Sequence, residues 1–69
     1  MTDTVALRQK MKDSGYRLYY IASRIGLSYQ GLMNKVNNQH EFPAKEIKSL
    51  CDLLCITPEE KEVIFFVSK

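Results

Sequence analysis

Apolar residues recur with a helical period along the whole of this chain, and nowhere do they alternate over enough residues to make a strand. A chain patterned this way folds as an all-α protein. With 69 residues, 45% of them apolar and 26% charged, there is material for one compact domain over residues 1–69 and for one core.

The helix boundaries follow from caps and breakers. Thr2, Asp3 and Thr4 are cap-forming residues ahead of Leu7 and Met11, and Gly15 supplies a left-handed stop, which bounds a first helix. Leu18, Ile21, Ala22 and Ile25 then make one buried stripe on a second helix over residues 18–24. Arg17 stands where a Ser or Thr would accept the first amide protons. The missing cap costs about 1 kcal/mol unless Ser14 or water substitutes.

Gly26 permits a turn of positive φ, Leu27 can plug the angle between the helices, and Ser28 is placed to cap a third helix. On that helix Ser28, Leu32 and Val36 share the side that can pack, so Tyr29, Gln30, Met33, Asn34 and Asn37 face outward. Asn38 can end it in the left-handed conformation. After the loop from Gln39 to Phe42, with Phe42 as its core anchor, Pro43 is a good first residue for a fourth helix. Its stripe is Ile47, Leu50, Cys51 and Leu54. "TPEE" at residues 57–60 is a capping box that opens a fifth helix.

Cys51 and Cys55, spaced i, i+4, point their thiols toward one apolar stripe and read as core. A structural zinc site would need four ligands, and His40 is the lone histidine, so no metal or other cofactor is expected. Charge is unevenly spread: eight cations between Arg8 and Lys48 face three acids, whereas Asp52, Glu59, Glu60 and Glu62 make the tail acidic. Attraction to polyanions therefore belongs to the first two thirds. No apolar run reaches the roughly 18 residues of a membrane span, and no cationic segment followed by an apolar stretch opens the chain. Export is not expected, and the expected compartment is the cytoplasm.

Ala22, Gly26, Leu27, Ser28 and Leu32, flanked by Leu7 and by Ile47 to Leu54, form a pattern that resembles the five-helix Cro and repressor class of helix-turn-helix proteins. The motif would occupy residues 18–37. "LMNKVNNQHEF" followed by "AKEIKSLCDLLCITPEEKEVIFF" is similar to small prophage regulators of Gram-positive bacteria, in particular to modulators of repression, the antirepressors of the lysis–lysogeny switch. Two departures stand out. Lys35 occupies the usual aliphatic position three residues after Leu32, which moves the packing role to Val36, and Arg17 with Leu18 replaces the usual pair whose glutamine grips the DNA backbone.

The resemblance implies that Tyr29, Gln30, Met33 and Asn34 read base edges, with Lys35, Arg17 and His40 near phosphates. Gln30 and Asn34 can each pair bidentately with adenine, while Met33 reads nothing by hydrogen bonding. One cation on the third helix supplies little of the electrostatic attraction that dominates DNA affinity. The same face suits a protein partner, because Tyr and Met are enriched at interface centres, and Tyr19 and Tyr20 add aromatic area nearby. The site expected from sequence is thus Tyr19, Ser28, Tyr29, Gln30, Met33, Asn34, Lys35 and Asn37, touching a cognate phage repressor or operator DNA. Val63 to Val67 are five consecutive apolar residues, more than one stripe can hide, so Ile64, Phe65, Phe66 and Val67 form a candidate seam for a homodimer or for the partner. A gly-rich phosphate loop, a nucleophile elbow and a carboxylate cluster are all missing, so neither catalysis nor a small-molecule substrate is expected. Three readings stand: an antirepressor, a Cro-like operator-binding homodimer, and an interaction module unrelated to transcription.

Overall fold

The computed structural model describes residues 2–66. Among them are five helices and no strand: α1 (Thr4–Ser14), α2 (Leu18–Arg24), α3 (Tyr29–Val36), α4 (Ala44–Leu54) and α5 (Pro58–Phe65). None of these helices is long and apolar enough to cross a membrane.

Local chemistry sets the ends. Asp3 caps α1 by accepting from the Ala6 amide at 3.1 Å, and Gly15 stops it at φ +76°. Thr57 and Glu60 close the expected capping box on α5, each side chain accepting from the other residue's backbone amide. Two ends differ from expectation. Pro43 is the cap of α4 rather than its first residue, with the Glu46 and Ile47 amides donating to its carbonyl. Cys55 lies outside α4 altogether: it takes the left-handed conformation at φ 57° and is exposed, while Cys51 is half-buried. The two thiols therefore do not share a core stripe, because an i, i+4 pair requires both residues to be helical. Desolvation raises the Cys51 thiol pKa.

One cluster of buried side chains draws on all five helices, with Leu7, Ile21, Leu32, Val36 and Leu50 fully enclosed. Each such leucine or isoleucine contributes about 1.5–3 kcal/mol by leaving water. Phe42 carries the α3–α4 loop into this core, where its ring meets Phe65 edge-on at 5.7 Å and 85°. That contact fixes the rotation of α5. Ile64 and Phe65 turn inward, leaving Val63 and Phe66 in water.

Candidate functional site

The site is built on α2, the turn and α3. The first turn of α2 has no side-chain cap, and Ser14 does not substitute, since its hydroxyl donates to the Met11 carbonyl and accepts from the Tyr16 amide. At the other end Gly26 takes φ +82° and the Leu27 amide donates back to the Ala22 carbonyl at 2.8 Å. The turn is closed there. Ser28 then caps α3 as its position predicts, accepting from the Gly31 amide at 3.0 Å. A side chain at Gly31 would put its Cβ 3.1 Å from the Ser28 hydroxyl, so the cap and the small residue belong together.

With Leu32 and Val36 buried, α3 can present only its other side. Tyr29 lies there, about one third exposed, and stacks on Tyr19 of α2 with centroids 4.5 Å apart and planes 21° apart. Gln30 is exposed and donates its side-chain amide to the Asn34 side-chain oxygen at 2.8 Å. Each amide keeps a further donor and acceptor, so the bond leaves both able to grip a base edge. Met33 and Asn34 are half-buried rather than fully outward. Met33 lines a groove of about 260 Å³ together with Arg8, Met11, Lys12, Tyr16 and Leu18, because α1 packs beside α3 at that point.

Cations are placed differently from what sequence spacing suggests. Lys35 turns toward α4 and pairs with Glu46 at 2.6 Å, with only 17% and 16% of the two side chains exposed, and so does not project beside Tyr29. Arg8 reaches across from α1 and donates to the Asn37 side-chain oxygen. Of the expected phosphate contacts, Arg17 and His40 are exposed and have no ion-pair partner among the described residues.

Beside this face Tyr16 and Tyr20 lie with ring centroids 5.0 Å apart, and the Arg24 guanidinium sits 6.0 Å from the Tyr20 ring centroid. Tyr20 was expected only as aromatic area nearby, and Arg24 and Arg8 were not among the expected contact residues. The i, i+4 spacing of Tyr20 and Arg24 could have signalled Arg24. The expected seam on α5 is corrected in part: Ile64 and Phe65 are core residues at 3% and 4% exposure, Phe66 is exposed, and Val67 lies outside the described residues. No cluster of three or more metal-binding side chains occurs among the described residues. No family model, curated protein or solved structure matches this chain.

Proposed function

We propose that this protein is a regulator of a phage lysis–lysogeny switch, an antirepressor on a Cro- and repressor-like helix-turn-helix domain. It binds its cognate repressor and blocks or modulates operator binding. The observation that carries the reading is the Tyr19–Tyr29 stack, an exposed aromatic surface at the start of α3, a helix whose one lysine, Lys35, is already paired with Glu46. Stacked tyrosines with half-buried Met33 beside them are rigid anchors of the kind that dominate protein interfaces. Lys35, held by Glu46, offers little to phosphates.

Direct operator binding as a Cro-like homodimer is the second reading, favoured by exposed Gln30 and by the exposed Arg17, which has no ion-pair partner among the described residues. One experiment separates the two. The chain is mixed with the repressor encoded beside it, complex formation is read by size, and operator DNA mobility is followed in parallel. Tyr29→Ala and Tyr19→Ala should each weaken the repressor complex by about 30-fold, the loss expected of an anchor worth about 2 kcal/mol. Operator DNA alone should not be shifted by the chain at physiological salt. A shift of operator DNA that fades steeply with salt, with no repressor complex, replaces the first reading with the second.

A further inference from the structure

A groove between α1 and α5 is not accounted for by the α2–α3 face. The two helices are tied by the Asp3 amide donating to the Ile64 carbonyl at 2.6 Å and by the Lys10–Glu60 ion pair at 2.5 Å. Beside these ties lies a space of about 400 Å³ with an apolar floor from Ala6, Val63 and Ile64. Val63 is 63% exposed there. Its exposure follows from the fold, since the capping box and the Phe42–Phe65 contact fix the rotation of α5 and leave Val63 no place in the core.

The rim of this groove is acidic. Asp13, Glu59 and Glu60 line it against Lys10 alone, a surplus of two negative charges. Lys10 is already held by Glu60, Asp13 accepts only from the neutral Gln9 amide, and Glu59 has no cationic partner among the described residues. Apolar floor and anionic rim select what can sit there. Nucleic acid and acidic lipid surfaces are repelled, and a second copy docking groove to groove would set like charges against each other.

The geometry points to this groove as a second docking surface, whose occupant is a basic segment of another protein that lays an aliphatic side chain on Ala6 and Val63 and offers lysine or arginine to Asp13 and Glu59. It uses no residue of α2 or α3, so it stands or falls independently of the repressor reading. The occupant's chemistry is that of an amphipathic helix with leucines at i, i+3, i+4 and i+7 among basic residues.

A helix-forming peptide of leucine and lysine in that pattern is titrated into the isotope-labelled full chain, with the same peptide carrying glutamate for lysine as control. The lysine peptide should move the backbone amide resonances of Ala6, Gln9, Asp13 and Val63 saturably, and the glutamate peptide should not. Asp13→Asn with Glu59→Gln should weaken binding about tenfold, and Val63→Ser about fivefold. All three positions are exposed, so thermal unfolding should stay unchanged and a loss of binding is not a loss of fold. The inference is overturned by shifts that spread evenly over other acids such as Asp52 and Glu62, by binding indifferent to these variants, or by no shifts at all. Movement of the groove amides with protein concentration alone would assign the surface to a second copy instead.

Discussion

Thr2 and Asn38, 36 positions apart, exchange two hydrogen bonds: the Thr2 amide donates to Asn38 Oδ1 at 3.0 Å, and Asn38 Nδ2 donates to the Thr2 carbonyl at 2.8 Å. The pair ties the entry to α1 to the exit from α3, and Asn38 makes it from left-handed backbone at φ +63°. Asn38→Gly keeps that backbone and loses both bonds, which should cost about 1–2 kcal/mol. Asn38→Ala adds the strain of a Cβ in the left-handed region, about 1 kcal/mol more. Urea denaturation midpoints should fall in the order wild type, Gly, Ala. The reverse order of the two variants would mean that backbone strain plays no part at this position.

Lys35 and Glu46 should behave as a unit. Their side chains are mostly covered, so deleting either charge leaves the other poorly solvated. Lys35→Met and Glu46→Leu should each cost about 1–2 kcal/mol, between the exposed and the fully buried case. The double variant should be more stable than the sum of the two predicts, and a double-mutant cycle reads the difference.

Glu60 makes α5 acid-sensitive. The hydrogen bond from Lys10, and after it the bond from the Thr57 amide, hold its carboxyl below the ordinary value of 4.5. A depressed folded-state pKa stabilises the fold fully above the unfolded value, and that stabilisation disappears as pH falls through the folded one. Thermal unfolding of wild type should therefore weaken below about pH 4.5 more than that of Glu60→Gln, which retains an acceptor for the cap but has no charge to lose. Equal pH profiles for the two proteins would remove Glu60 from the account of acid sensitivity.

The partition of α5 is testable with neighbouring residues. Phe65→Ala empties a core position beside Phe42 and should cost about 3–5 kcal/mol. Phe66→Ala, one residue on and 54% exposed, should stay within about 0.5 kcal/mol of wild type. Guanidinium unfolding of the pair decides whether the inward and outward assignments hold.

Positions that need unusual backbone were legible in the sequence, because few residue types tolerate it: Gly15, Gly26 and Asn38 all have positive φ. The Ser28 cap and the Thr57–Glu60 box were legible for a related reason, as each is a short-range exchange between a side chain and an amide. Cys55 was not, since α4 ends without the Gly or Asn that marks a stop, and the apolar period runs on through it. The engagement of Lys35 by Glu46 and of Asn37 by Arg8 spans 11 and 29 positions, and period along one helix carries no information about a partner on another. For α5, five apolar residues in a row have no phase. The capping box and the Phe42 ring, arriving from the α3–α4 loop, set Ile64 and Phe65 inside and leave Val63 and Phe66 in water.

The bare start of α2 bears on how the surface would respond when touched. Tyr19 belongs to a first turn with no side-chain cap, whereas Tyr29 opens a helix anchored by Ser28, so their stack clasps an uncapped end to a capped one. Prying the rings apart would let the Ile21 amide, which donates to the Arg17 carbonyl across that first turn, trade its hydrogen with solvent sooner, whereas a visitor resting on both would slow that trade.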